Sequence, residues 1–229
     1  VCFDGFHVTH VIEPLVTLDQ DEVDRFLPKH RKAIYRLTPD QPSTWGPVGS
    51  PDIQTELKVQ NELALNASKD VILEVWREFG DLFGRYYAPL ETYRLEDAEA
   101  AILIAGGFAG TGRMAVDKMR KEGRKVGLIK LKLYRPFPIQ EIKEVLSGVK
   151  AVAVVDRAIS AGGLGGPIYG DIRNVLYDER DRPAVLSFVA GLGGRDITVK
   201  EFIKMGERAL EAVSKEEISH KVEFIQARI

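Results

Sequence analysis

The sequence is poor in cysteine and histidine and has no long apolar run. A single cysteine, Cys2, among 229 residues excludes an internal disulfide. With only four histidines, it also leaves no ligand set for a four-cysteine zinc site or an iron–sulfur cluster. Such low cysteine usage fits a reducing compartment, so a cytoplasmic location is expected. No apolar run approaches the ~20 residues of a spanning helix, so no membrane partner is expected. A formal charge of −2 lacks the basic excess of a general nucleic-acid binder. Catalytic signatures are missing too: there is no P-loop Gly-Lys-Ser/Thr, no H-E-x-x-H and no Ser-His-Asp arrangement. Residue 1 is not methionine and no signal-peptide pattern follows, so a fragment of a longer polypeptide is expected.

What is present is a repeated strand–glycine turn–helix pattern. Ala101-Ile-Leu-Ile-Ala105 runs unbroken into Gly106-Gly-Phe-Ala-Gly-Thr-Gly112. An apolar run without polar alternation and with a glycine exit predicts a strand buried on both faces. Further strands are predicted at 126–131, 151–155 and 184–189. Helical faces lie between them: Met114, Ala115 and Met119; then Ile139, Ile142, Val145 and Leu146; then Ile168, Ile172, Val175 and Leu176. After the fourth strand, Thr198 and Glu201 form a T-x-x-E capping box, with Ile197 and Phe202 as its hydrophobic staple. That last helix is expected to bury Phe202, Ala209, Leu210 and Val213. Strands recurring every ~25–33 residues predict βαβ units. The expected fold class is therefore α/β, an open, mainly parallel sheet with helices on both faces. The tail at His220–Ile225 alternates and is expected to add an edge strand.

The N-terminal part reads differently. Residues 1–12 are apolar and β-branched and suggest a strand end and a loop. His7, Thr9 and His10 within it either satisfy local backbone groups or line a site. Asp19 to Leu27 predicts a short acidic helix stopped by Pro28. Residues 38–52, rich in proline and glycine, predict an irregular connection anchored by Trp45. Ile53 to Phe83 predicts a helix of ~40 Å, longer than a small domain needs. Its inward face is Ala64, Ala67, Val71, Val75 and Phe79, and its partner is a second domain or another chain.

Three glycine turns follow three strands, so parallel pairing would put them at one sheet edge, where open α/β sheets bind ligands. Gly107-x-x-Gly110-x-Gly112 has the wrong order for a dinucleotide fingerprint. The glycines serve tight turns, a nucleotide site, or a protein seam over a cofactor. Arg135, in Tyr134-Arg-Pro-Phe-Pro138, either pairs with an interface carboxylate or folds back on its own loop carbonyls. Asp156 with Arg157, and Arg195 with Asp196, read as local salt bridges or caps.

Several motifs in order carry a family resemblance. Leu133-Tyr-Arg-Pro-Phe-Pro138, Val155-Asp-Arg-Ala-Ile-Ser160 and Gly191-Leu-Gly-Gly-Arg-Asp196 each follow a strand. Phe79-Gly, Phe83-Gly-Arg85, Glu91-x-Tyr93 and Glu96-Asp-Ala98 precede them, and Asp4-Gly-Phe-x-x-Thr-His10 opens the chain. Together these resemble the alpha subunit of 2-oxoacid:ferredoxin oxidoreductases of the pyruvate synthase type. The family's Thr-Ser-His reads Val8-Thr9-His10 here, and its Gly-Ser reads Gly106-Gly107. The resemblance implies that residues 1–85 are the end of a thiamine-pyrimidine-binding domain plus a linking helix. Residues 86–229 would then be a domain like the C-terminal domain of transketolase.

The resemblance also implies thiamine-diphosphate-dependent oxidative decarboxylation, with magnesium holding the cofactor mostly outside this chain and coenzyme A accepting the acyl group. Iron–sulfur clusters would sit on partner subunits of beta, gamma and delta type, passing electrons to ferredoxin. No catalytic or cofactor-binding residue transfers onto this chain. Thr9, His10, Arg135, Gly193, Gly194 and Arg195 are the candidates for a site wall or interface. The alternatives are a non-catalytic assembly module or a stand-alone Rossmann-like nucleotide-binding domain.

Overall fold

A computed structural model describes residues 5–27, 39–40, 42, 46, 48–214 and 221–228. The chain divides into two compact units, Ile12–Tyr87 and Ala88–Ile229, the latter joined by Val1–Val11.

The first unit holds two helices. Helix α1 (Gln20–Phe26) starts at an Asp19–Glu22 capping box, close to the expected bounds; Pro28 and Trp45 lie outside the described residues. Helix α2 (Pro51–Phe83) has 33 residues, about 50 Å. Pro51 opens it, and Gly84 closes it in the left-handed conformation at φ 68°. The expected inward face is corrected: Val71 and Val75 are exposed, while Ile72, Leu73, Trp76, Phe79 and Phe83 are half-buried. The aromatic residues decide the difference. Phe26 of α1 meets Phe79 and Phe83 edge-on at 5.4 and 5.9 Å, and Tyr87 folds back beside Trp76. Rings bury more area than valines and so choose the covered face.

The second unit is a six-stranded sheet ordered β1-β3-β2-β4-β5-β6. Strands β2 (Ala100–Ala105), β3 (Val126–Leu131), β4 (Ala151–Asp156) and β5 (Ala184–Val189) fall where the apolar runs predicted them. All four are parallel, in continuous register from Ala100↔Val126 and Ala100↔Ala151 outward. The short β6 (Glu223–Phe224) extends the β5 edge, as the alternating tail suggested.

Strand β1 (Leu90–Tyr93) was not legible in the sequence. It pairs antiparallel with β3. It has four residues and no apolar run, and Glu91 is held by ion pairs to Arg113 and Lys132.

Helices cover both faces. α3 (Ala109–Lys121) and α6 (Val199–Val213) share one core with Ile102, Ile104, Leu128, Ala153 and Phe188. α4 (Ile139–Leu146) and α5 (Pro167–Leu176) share the other with Leu103, Ile129, Val152 and Val154. Strand residues buried on both sides explain the unbroken apolar runs. Two predicted core positions are corrected: Met114 is 64% exposed and Ile139 is 46% exposed. Val116 takes the α3 place, one helical position round from Ala115 and three before Met119. The capping box at Thr198 and Glu201 is present, and Ile197 and Phe202 are both buried.

Candidate functional site

Parallel pairing sets the exits of β2, β3, β4 and β5 on one rim. From β2 the chain goes to its neighbour β3 on one side, then crosses to β4 on the other. The point where the order reverses lies between β2 and β4, which is where open α/β sheets leave a crevice.

Four segments meet there. The β2 exit contributes Phe108, fully buried. The β4 exit contributes Arg157, whose guanidinium carbon lies 4.8 Å from the Phe108 ring centroid. The β5 exit passes behind it: a Cβ on Gly191 would lie 3.0 Å from the Arg157 Nε. The fourth segment is an N-terminal turn over residues 5–10. His7 stacks on Phe108 at 3.7 Å and 21°. Phe6 presses on Gly194, where a Cβ would come within 2.7 Å of it. Gly194 sits at φ +80°, so a side chain there is opposed by both space and backbone. The expected strand end at residues 1–12 is corrected: among the described residues the segment is an exposed turn, with His7 half-buried. It makes no ladder bonds and is held by ring contacts.

Thr9 and His10 stand on the outer side of this turn. The Phe6 N–H donates to Thr9 Oγ1 at 3.0 Å, and that oxygen lies 2.9 Å from His10 Nδ1. His10 also stacks on Phe6 at 4.5 Å. Thr9 thus does satisfy a local backbone group, while His10 stays exposed on the rim.

The other sequence candidates separate. Gly193 and Gly194 both take positive φ in the β5 exit. Arg195 donates to the Gln226 carbonyl at 2.6 Å and so ties that exit to the C-terminal segment. Arg135 lies elsewhere on the rim. It donates to the Tyr134 carbonyl and to Asp171, both at 2.8 Å, and covers the Tyr134 ring at 4.1 Å. Arg135 folds back on its own loop carbonyl, as one sequence alternative had it, and its carboxylate partner is Asp171 of α5 in the same chain rather than one at an interface. Phe6, Phe108 and Arg157 are rim residues that motif reading did not rank, whereas His7 was already a candidate to line a site. Phe6 and Phe108 each adjoin a glycine and Arg157 directly follows strand β4, and neither pattern names a partner.

Two carboxylates finish the helices at this rim. Asp156 is buried and accepts the N–H groups of Ile168 and Tyr169 at 2.9 and 3.0 Å, capping α5. Burial raises its pKa, outweighing those two hydrogen bonds. Gly166 is required beside it, because a Cβ there would fall 2.1–2.3 Å from the Asp156 side chain. At α6, burial works to raise Glu201 as well. Hydrogen bonds from Thr198, Gln226 and the backbone outweigh it and hold the carboxyl below its ordinary value.

The donor set does not fit a thiamine diphosphate–magnesium group. Among the described residues no three His, Cys, Asp or Glu side chains are grouped to hold a metal ion. The single cysteine likewise cannot build a cluster site. What the rim offers is an aromatic and cationic surface with an exposed hydroxyl and imidazole.

Known proteins resemble this chain over most of its length. The family model of the pyruvate:ferredoxin oxidoreductase core domain II matches residues 98–202. The chain is similar to pyruvate synthase PorA subunits and to a ketoisovalerate oxidoreductase subunit. It is 39% identical over 217 residues to the pyruvate synthase subunit PorA of Methanothermobacter thermautotrophicus, covering 93% of this chain and 55% of that protein. It is 38% identical over 228 residues to the PorA of Pyrococcus abyssi, covering 100% and 58%. The ketoisovalerate oxidoreductase subunit VorA of Pyrococcus horikoshii is 36% identical over 222 residues, covering 96% and 56%. The chain therefore spans little more than half the length of these relatives. Residues 98–202 run from the start of β2 through the β5 exit into α6, so the matched domain is the one that builds the rim.

Proposed function

We propose that this chain is the C-terminal portion of an alpha subunit in a thiamine-diphosphate-dependent 2-oxoacid:ferredoxin oxidoreductase. The reaction is oxidative decarboxylation of pyruvate or a related 2-oxoacid to an acyl-CoA and CO2, with electrons passed to ferredoxin. The observation that carries this reading is the co-linear match across 93–100% of the chain to PorA subunits. In this reading residues 1–85 close a pyrimidine-binding domain and residues 86–229 form a transketolase C-terminal-like domain.

The described residues supply scaffold and subunit interface. The thiamine group supplies the carbanion chemistry, held with its magnesium mostly outside this chain. Iron–sulfur clusters lie on beta-, gamma- and delta-type partners, because one cysteine cannot ligate them. The chain works in the cytoplasm. Its own part in the site is the N-terminal turn: Phe6 and His7 clamp the turn on the rim, and Thr9 and His10 form a wall facing the reaction chamber.

The test uses the full-length alpha chain assembled with its partners, assayed for 2-oxoacid-dependent reduction of a viologen dye. Activity with pyruvate or a branched 2-oxoacid is expected, and inactivity with every common 2-oxoacid overturns the reading. In the same assembly Thr9→Ala and His10→Ala are expected to raise the KM for the 2-oxoacid. Unchanged turnover and KM would leave this segment as scaffold alone.

A further inference from the structure

The cleft beside α5 lies on the Arg135 side of the rim, away from the N-terminal turn. It measures about 530 Å3 and is lined by the β3 exit, the loop after β4 and the outer face of α5. Three features of that face point the same way.

The first is Gly170. It lies in the interior of a ten-residue helix, where glycine is disfavoured against alanine by conformational entropy. Some glycines of this unit have visible reasons, Gly166 making room for Asp156 and Gly194 for Phe6, while Gly110 of α3 is as unobstructed as Gly170. At Gly170 a Cβ would meet nothing within 4 Å, and φ is not positive. Nothing within the described residues requires a glycine there. Its effect is to keep the cleft floor open for close approach by something else.

The second is Arg173, one turn on. Among the described residues its guanidinium meets only Tyr169, donating to the hydroxyl at 3.2 Å and lying 5.7 Å from the ring centroid. Neighbouring Arg135 has Asp171, but among the described residues no carboxylate answers Arg173. The third is the border. Tyr177 is 71% exposed and Leu164 80% exposed, both lining the cleft, with Tyr134 beside Arg135. Exposed tyrosine and arginine around a concavity are what protein interfaces enrich, and an unanswered arginine calls for a carboxylate from the partner.

We propose that this cleft receives a polypeptide segment of another subunit. Its backbone passes over Gly170 and it presents an Asp or Glu carboxylate to Arg173, while Tyr177 and Leu164 close on its apolar flank. The inference rests on the reading of this chain as one subunit of a larger oxidoreductase, but its test does not use turnover.

The full-length chain is co-purified with its partner subunits, and assembly is followed by native mass spectrometry across a dilution series. Gly170→Trp sets its Cβ in open space and an indole into the cleft, and is expected to weaken association at least ~10-fold, as is Arg173→Glu. Gln140→Trp, an exposed substitution on α4 outside the cleft, controls for bulk. Far-ultraviolet circular dichroism checks that each variant is folded. Arg173→Lys places an amine at the same point. Carbodiimide, which joins amines to carboxyls directly, is expected to link it to an Asp or Glu of a co-purified subunit. Undiminished association in folded Gly170→Trp and Arg173→Glu overturns the proposal. So does a cross-link found only to Asp171 of the same chain, or only between two copies of this chain. Lost assembly and a partner cross-link in a complex that turns over no 2-oxoacid would keep this inference while removing the reaction assigned above.

Discussion

The exits of β4 and β5 solve the same problem in opposite ways. Each must turn a buried parallel strand into a helix and satisfy the free N–H groups at the helix start. At β4 the chain reaches back with Asp156, the last residue of the strand itself, and buries the carboxylate under Gly166. At β5 the cap is local: Thr198 and Glu201 close a box at the surface, and the turn before it runs through three left-handed glycines. A buried cap gives a rigid exit at the cost of an ionised group kept from water. A surface cap leaves the β5 exit open to Phe6 of the N-terminal turn and, through Arg195, to the tail. The rim therefore has one fixed lip and one adjustable lip.

Substitutions can break this contrast. Gly166→Ala should have the largest effect, a loss of about 3 kcal/mol in denaturant unfolding, because the new methyl must displace a buried carboxylate. The double variant with Asp156→Ala should lose less than the sum of the two single changes, since removing the carboxylate removes the clash. Additive losses would mean that the two residues do not share the space described. Next comes Gly194→Ala, expected to cost about 1–2 kcal/mol for a left-handed non-glycine residue. It should also speed amide hydrogen exchange over Phe6–His10, as the turn loses its seat. An unchanged exchange pattern would show that Phe6 is not seated on Gly194. Thr198→Ala should cost about 1 kcal/mol, the ordinary worth of a surface cap, without altering the N-terminal turn.

The smallest signal is the most specific. Asp156 has a raised folded pKa, so its favourable share of stability is full below the ordinary value of 3.8 and is lost as pH rises through the folded value. Glu201 has a lowered one, so its share is present above the ordinary value of 4.5 and is lost as pH falls through the folded value. Stability relative to Asp156→Asn should therefore decline with rising pH, while stability relative to Glu201→Gln should climb. Parallel slopes in the two difference curves would erase the distinction between the lips.

Legibility followed the same division. The surface cap was readable because T-x-x-E and its staple are short-range patterns with one spacing. The buried cap was only half readable: Asp156 looked like a local salt bridge or cap, and nothing near it in sequence names Ile168 and Tyr169 as its partners. Strand β1 escaped because four residues with Glu91 among them carry no periodic signal; pairing with β3 makes them a strand. On α2 the spacing of Val71 and Val75 marked a face, and the rings of Phe26 and Tyr87 covered a different one. Arg135 fitted two readings equally until α5 brought Asp171 to it.

The sequence by itself determined the four parallel strands, the helices between them and the common side of their glycine exits. Unbroken apolar runs and helical spacing are local consequences of burial, and parallel pairing leaves the exits no other edge. Only the tertiary structure decided which side chains meet there. His7 lies on Phe108, Phe6 on Gly194, and Arg173 beside the open floor at Gly170. These pairs join segments far apart in the chain or depend on empty space, and neither distance nor vacancy is written in the order of residues.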